Sequence, residues 1–427
     1  MARLDHVGSY YANSSQRAPE RAALADGVDC DVCVVGAGIA GCSTALHLGL
    51  AGLRVVLLEE HRVGWGASGR SGAQAIYGIA AGQTKLQRLI GAEAARAVWD
   101  VSVEGLALMR ELIARFSIDC DWAAGHLAAA VKERHERELH AELAELRDEY
   151  GYASVRYMPR EELRATLATE RYRGALYDTN SGHLHPLNYT LGLAAAAESL
   201  GVRIFEGTRA TGFAPAGASQ VRIRTPAGEV RARYLALCGN VYLGATAPQL
   251  ASKIMAVATY IVATEPLGAE RARQLIANNA AVSDMNWVLD YFRLSADRLL
   301  FGGRVNYSGF SSFDAPSATR ARMLAVFPQL QDVRIDYAWG GDVDITLNRA
   351  PHFGRLAPNV YFLQGFSGHG IALTGIAGKL VAEAIAGIAG RFDVFARIPH
   401  RNFPGGAALR RPALVLAMLY YRLRDLL

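Results

Sequence analysis

The residues whose types and spacing point most directly to chemistry are glycines that leave backbone amides open to a ligand. Gly36-Ala37-Gly38-Ile39-Ala40-Gly41 follows the apolar run Val32-Cys33-Val34-Val35 and precedes a helical pattern with Ala45, Leu46 and Leu48. Gly36 allows the tight turn, Gly38 lets N–H groups approach a pyrophosphate, and Gly41 lets the helix pack close to the strand. The helix N-terminus turns its partial positive charge toward the phosphates. Gly52 breaks the helix, and a second strand, Arg54 to Leu58, ends in Glu59. An acid there accepts hydrogen bonds from a ribose and disfavours a 2′-phosphate, so NADP is not expected. A lone G-x-G-x-x-G is a weak signal. Set between two strand patterns, with its acid about twenty residues on, it is the full dinucleotide fingerprint. It does not separate FAD from NAD.

Glycine recurs at three further places. Val63-Gly64-Trp65-Gly66-Ala67-Ser68-Gly69-Arg70-Ser71-Gly72-Ala73-Gln74 follows the second strand, and such density predicts close approach of backbone to something flat or charged. Cys238-Gly239-Asn240 ends the strand pattern 230–237, at a carboxyl end where open α/β sheets bind ligands. Gln364-Gly365-Phe366-Ser367-Gly368-His369-Gly370-Ile371 joins the short strand 360–363 to a helix running to about Ile388, again aiming free N–H groups at an electron-rich group. There is no second complete fingerprint, so one dinucleotide is expected. His183 and His185 have no acidic or cysteine partner at metal spacing, and no metal is expected there.

These turns need a scaffold. At 427 residues, two domains are the prior. The net charge of +5 is too slight to argue for nucleic acid. Five cysteines imply no disulfide framework, and Cys30 and Cys33 enter a buried strand, where a core role is expected. No secretory signal and no apolar run of membrane-spanning length is evident, which leaves the cytoplasm as the default. Residues 1–26 read as a polar surface arm. Residues 84–116 are helical by period, 132–149 form a charged helix with His135 and His140 on a solvated face, Pro159 starts a further helix, and the turn 181–188 leads into a helix at 188–200. Residues 202–205, 221–225 and 230–237 resemble a β-meander. Residues 253–264 and 287–306 suggest strands of a second sheet, on which Trp287, Tyr291 and Phe292 are cavity candidates. The apolar helix 412–424 has basic flanks. Docking on its own domain is expected, with membrane-surface contact as the alternative.

Taken together, the chain resembles the glycine/D-amino-acid oxidase (DAO) family of FAD-dependent oxidoreductases, and is most similar to its gamma-glutamylputrescine oxidase branch. The resemblance runs from about residue 8 to the C-terminus. It rests on Ser9-Tyr10-Tyr11, the fingerprint, Gly66-Ala67-Ser68-Gly69-Arg70, Gly182-His183-Leu184-His185-Pro186, Tyr291-Phe292-Arg293-Leu294-Ser295, Leu300-Phe301-Gly302-Gly303-Arg304, Gly365-Phe366-Ser367-Gly368-His369-Gly370 and Met418-Leu419-Tyr420-Tyr421-Arg422-Leu423.

The resemblance implies a Rossmann-like α/β FAD-binding domain of glutathione-reductase type with an interleaved α+β substrate domain. The expected divisions are an arm at 1–26, the FAD domain at 27–84, 171–248 and 338–395, the substrate domain at 85–170 and 249–337, and a helical tail at 396–427. It also implies FAD. Gly36, Gly38, Ile39, Ala40 and Gly41 would meet the pyrophosphate and Glu59 the ribose. Gly66, Ala67, Ser68 and Gln74 would lie along the flavin or its ribityl chain, and Gly239 would stand at the neighbouring strand end. A strand at Arg209-Ala210 would pair with adenine, and Gly368, His369, Gly370 and Ile371 would face the flavin N1/C2=O edge. His369, Tyr291 and His185 are the pocket candidates. Cys238 is the last cysteine, so the C-terminal flavin tether of some relatives is absent and non-covalent FAD is expected. The strand 298–301 offers no lysine of the kind that activates oxygen in some oxidases, so O2 and an electron carrier stay open as acceptors. The implied reaction is hydride transfer from an amine's α-carbon to flavin N5, giving an imine and then an aldehyde or keto acid. The alternatives are a D-amino-acid or N-methyl-amino-acid dehydrogenase or oxidase, for which Arg293 and Arg304 are the available clamps for a carboxylate, and a flavin-binding protein without turnover.

Overall fold

The computed structural model describes residues 5–16, 18–217, 219–306 and 314–404. The expected apolar helix 412–424 and most of the tail at 396–427 lie outside the described residues.

The β-branched run Val28–Val35 forms the centre of a parallel sheet. Its main path is His352–Ala357, Val360–Gln364, Glu229–Leu237, Val28–Val35, Val55–Leu58 and Arg203–Phe205, antiparallel only at the first edge strand, and Val221–Arg224 with Gly212–Pro215 adds antiparallel to Glu229–Leu237. Both faces are covered, as the nearly continuous apolar strands require. Val32, Val34 and Leu57 pack under helices. Cys33, Val35, Val56 and Leu58 pack on the opposite face, which also holds the meander residues Val221 and Ile223. Cys30 and Cys33 are buried thiols without a disulfide, and burial pushes the Cys30 thiol up to about 12.

Two helices dominate the first of these faces: Ile39–Leu50, after the fingerprint, and Ile371–Ile385, after the C-terminal glycine turn. They touch almost backbone to backbone. A Cβ on Gly378 would stand 2.5 Å from the Thr44 nitrogen, and Ser43 Oγ donates to the Gly375 carbonyl at 2.7 Å.

A second, nine-stranded sheet lies beside the first, in the order Ile335–Ile345, Met255–Thr264, Arg298–Asn306, Tyr291–Ser295, Ala281–Asp284, Ala123–Ala130, Gly174–His183 and Gln74–Ala75, with Val155–Pro159 paired to Gly174–His183. Its own core gathers Phe292, Phe301 and Phe327.

Several expectations change. The described part of 1–26 is not simply a surface arm: Tyr11 is 0% exposed, and Ser9, Arg21 and Leu24 are buried. The aromatic rings of the short helix Tyr10–Ser14 find apolar partners between the sheets, with Tyr11 against Ala73, Leu187, Ile261 and Trp339. Gly174–His183 and Gln74–Ala75, grouped by sequence with the dinucleotide unit, pair in the second sheet. Arg203–Phe205 pairs with Val55–Leu58 rather than with the meander, whose first strand is Gly212–Pro215. The helical stretch 84–116 breaks at Gly91, where φ is +86°. His135 lies on the inner face of its helix and is 2% exposed, while His140 is exposed. Trp287 is 46% exposed in a turn, not on a strand, and Phe292 points into the second core, so neither joins the cleft.

Candidate active site

The parallel sheet brings its carboxyl ends to one edge. Val35 is paired with Leu58 on one side and Leu237 on the other, and Leu237 is paired with Phe362. The fingerprint turn, Glu59, the Cys238-Gly239-Asn240 turn and the C-terminal glycine turn therefore open side by side. Two strand spacings, about 10 Å, separate the first turn from the last. Such an edge, outside the carboxyl ends of parallel strands, is where open α/β sheets take their ligands.

The glycines meet specific demands. Gly36 has φ +99°, and a Cβ there would stand 2.8 Å from Gly239 Cα. A Cβ on Gly41 would collide with the Gly36 carbonyl oxygen. Gly38 is different: its nearest neighbour is the mobile end of a side chain, Ser68 Oγ, which also accepts from Ile39 N at 3.0 Å. One fingerprint glycine closes the turn, one closes helix on strand, and one faces an approachable side. The first N–H groups of the helix have no partners within it. This arrangement fits a pyrophosphate. Glu59 closes the cradle, accepting from Ala37 N at 2.8 Å through one carboxylate oxygen and from His61 N at 2.9 Å through the other. Burial pushes its carboxyl up to about 7.

The loop 63–74 is held from the second sheet. Trp339 Nε1 donates to the Arg70 carbonyl at 2.9 Å, and the Arg70 guanidinium lies 4.0 Å over the Trp65 ring. Gln74 spends its amide nitrogen on the Val282 carbonyl at 2.9 Å, so it braces Gln74–Ala75 against the second sheet. The expected strand at Arg209-Ala210 is irregular chain: Thr208 N donates to the Glu59 carbonyl, and Thr246 Oγ1 to the Ala210 carbonyl at 2.6 Å.

The C-terminal turn uses left-handed backbone at Gly365 (φ +80°), Ser367 (+54°) and Gly368 (+86°). Its anchor was not foreseen. Asp344, on the strand Ile335–Ile345 of the second sheet, accepts from Gly365 N and from Phe366 N, the latter at 2.9 Å. Burial pushes the Asp344 carboxyl up to about 6. The turn's peptide dipoles are thus fixed from the neighbouring sheet.

The pocket candidates divide. His369 sits half-buried in the turn, with Nε2 2.6 Å from the Tyr77 carbonyl. Tyr291 lies against the glycine loop, where a Cβ on Gly72 would stand 2.5 Å from its ring. His185 does not open onto this space. It caps the helix Pro186–Ser199, accepting from Asn188 N at 3.1 Å through Nδ1, and its Nε2 meets Ser14 Oγ at 3.1 Å. Burial holds its imidazole down near 4.

Beside it is a cluster that sequence reasoning missed. Arg293 is 2% exposed, and its guanidinium donates to Tyr11 Oη at 3.0 Å, to the Leu294 carbonyl at 2.9 Å and to His183 Nδ1 at 3.3 Å. His183 Nε2 lies 2.7 Å from the Asn279 carbonyl. Accepting at one nitrogen and donating at the other, His183 is neutral, and burial beside Arg293 drives its imidazole down to about 3. The Tyr-Tyr pair of the N-terminus was the available signal, but its partner lies 282 residues on. Among the described residues no cluster of histidine, cysteine and acid suits a metal ion.

Residues 31–384 match the family model described as DAO, FAD dependent oxidoreductase. The chain is 41% identical over 423 residues to gamma-glutamylputrescine oxidoreductase of Escherichia coli K12, covering 99% of each. It is 40% identical over 429 residues to the probable oxidoreductase OrdL of Haemophilus influenzae, covering 99% of this chain and 98% of the other. Among solved structures, glycine oxidase from Bacillus cereus superposes with a TM-score of 0.70 at 19% identity, over 87% of this chain and 99% of that one. L-proline dehydrogenase from P. horikoshii does so at 0.70 and 19%, over 84% and 94%. These two show likeness of fold.

Proposed function

The chain belongs to the DAO family of FAD-dependent oxidoreductases, and we propose that the amine whose C–N bond it oxidises is a gamma-glutamylated diamine or a close relative. The observation that carries the reading is identity of 41% along 99% of both chains with a gamma-glutamylputrescine oxidoreductase. The shared sheet edge on which the two glycine turns open supports it.

Bound FAD supplies a two-electron acceptor for the hydride of the amine's α-carbon; water added to the resulting imine then displaces ammonia or an amine and leaves an aldehyde or keto acid. The protein's part is to bind, orient and exclude water. Gly36, Gly38, Ile39, Ala40 and Gly41 would hold the pyrophosphate and Glu59 the ribose. Gly66, Ala67, Ser68, Gly239 and Ala210 would line the cofactor's path. Gly368, His369, Gly370 and Ile371 would present a helix N-terminus where negative charge develops. Tyr291, with its ring against the glycine loop, would wall the substrate side. The domain division of the sequence reading is kept as part of this proposal, with the second-sheet strands Gln74–Ala75, Gly174–His183 and Ile335–Ile345 assigned to the substrate domain. Arg293 gives no support to the amino-acid reading, because its guanidinium is already engaged by Tyr11, His183 and Leu294. The side chain of Arg304 lies outside the described residues.

Among the described residues no single helix is long and apolar enough to cross a membrane. A cytoplasmic location is part of the proposal, as is reoxidation by O2 or an electron carrier. The test is anaerobic reduction of the purified yellow protein by polyamines, their glutamyl derivatives and D-amino acids. Bleaching by gamma-glutamylputrescine before the others is expected. Bleaching by NADH and by no amine overturns the reading.

A further inference from the structure

We propose that His369 is the proton acceptor for the incoming substrate ammonium, with its Nδ1 lone pair held ready by the carbonyl of Tyr77. The inference rests on the amine reading above. A carbonyl oxygen can only accept, so the 2.6 Å contact with Tyr77 requires the hydrogen on Nε2 and leaves Nδ1 as the acceptor. Among the described residues, Nδ1 makes no hydrogen bond.

The carbonyl that sets this tautomer is itself immobilised. Tyr77 N donates to Ser181 Oγ at 3.2 Å, Gly78 N to Ser102 Oγ at 3.1 Å, and the Tyr77 phenol to Glu142 at 3.0 Å. The ring packs against Trp99 and Tyr152. Three elements thus fix one oxygen, and that oxygen fixes one imidazole. This is more apparatus than a surface histidine in a turn requires.

The surroundings favour the neutral ring. Burial is the largest cause lowering the proton affinity of His369, and the positive charge of Arg349, from the turn before His352–Ala357, lowers it further, while the hydrogen bond to the Tyr77 carbonyl acts the other way. His126, on Ala123–Ala130, faces it as a buried neutral imidazole with Nε2 3.1 Å from Ser283 Oγ. The Tyr77 phenol, turned to Glu142, is uncharged. The helix Ile371–Ile385 adds the positive end of its dipole.

The step balances simply. An alkylammonium cannot release hydride from its α-carbon, because the nitrogen lone pair is occupied by a proton. That proton passes from the substrate nitrogen to Nδ1, giving neutral amine and imidazolium, and no electrons leave either partner. The imidazolium then returns the proton to solvent.

Two measurements test this. In 15N-histidine-labelled holoenzyme, the resonance absent from His369→Gln is expected to show a neutral Nε2–H imidazole at pH 7. An Nδ1–H tautomer or an imidazolium there overturns the proposal. In anaerobic flavin reduction by gamma-glutamylputrescine, His369→Gln is expected to lose about 100-fold at pH 7. It should recover toward the parent near pH 10, where an amine with a pKa of about 10 is itself deprotonated. A loss of equal size at both pH values overturns the role and leaves the amine reading standing. A parent enzyme that no amine reduces overturns both.

Discussion

The two glycine turns at the sheet edge are closed by the same device and differ in where it comes from. Each is pinned by a carboxylate that accepts two backbone N–H groups. Glu59 reaches back 22 residues to Ala37, from the neighbouring strand of the same sheet. Asp344 reaches Gly365 and Phe366 from a strand of the other sheet. The first turn is complete within its own βαβ unit. The second exists only where both sheets are in place. The lesson is that the turn proposed to take the phosphates is a local structure, whereas the turn proposed to face the reacting ring is a joint between two sheets.

The largest effect should break the first turn. Gly41→Ala forces a Cβ into the Gly36 carbonyl and should cost more than about 4 kcal/mol, with loss of bound flavin. Gly370→Ala, whose nearest neighbour is Phe366 Cβ at 3.5 Å, should cost less than about 1 kcal/mol. Denaturant midpoints and the ratio of flavin absorbance to protein read both. Equal losses would mean that the two turns are equally crowded.

Next in size is the joint. Asp344→Ala strands two buried N–H groups and should cost about 2–4 kcal/mol. It should speed proteolytic cleavage near residue 365 more than Glu59→Ala does, because only the former unties the sheets. Cleavage at equal rates would remove the distinction drawn here.

The joint also titrates. The Asp344 carboxyl is raised from 3.8 to about 6 in the folded protein, so between those values the native state holds the extra proton. Its contribution to stability is present below pH 4 and is lost as pH rises through 6. His183 works in the opposite direction. Lowered from 6.5 to about 3, it favours folding above pH 6.5 and opposes it as pH falls. Each group contributes up to about 1.4 kcal/mol per pH unit where only one state is protonated. Between pH 4 and 6, Asp344→Asn should therefore make the rise of stability with pH steeper, and His183→Gln should make it shallower. Slopes that move the same way would refute one of the two assignments.

A smaller effect than that of the joint concerns the N-terminal helix. Tyr11→Phe keeps the ring but removes the acceptor of Arg293, and should lower stability by about 1–2 kcal/mol without altering the flavin spectrum.

This difference between the turns also explains what could be read from sequence. Gly36, Gly38, Gly41 and Glu59 act on one another within a single unit, so their spacing carries their meaning. The sheet edge was legible for the same reason: three of its parallel strands lead into glycines, Gly36, Gly239 and Gly365. Asp344 is an ordinary acid in a strand pattern, and Arg293 an ordinary base. Nothing adjacent to either marks that one will hold a turn in the other sheet, or that the other will meet Tyr11 far upstream. His135 misled because its six charged neighbours in the run 132–138 hide a period set by Leu139, Leu143 and Leu146, the buried stripe it belongs to. Trp287 misled because aromatic content alone does not distinguish a strand from the turn that enters it.

The bare crossing of Gly378 over Thr44 has a consequence for how a coenzyme gets in and out. With no side chain between the two backbones, there is nothing to compress and nothing to slide, so the helices behave as a caliper locked at one setting. Exchange of a long ligand must then proceed by lifting the loop that follows Glu59 or by swinging the second sheet aside. The gap between the caliper's tips should keep its width whether loaded or bare.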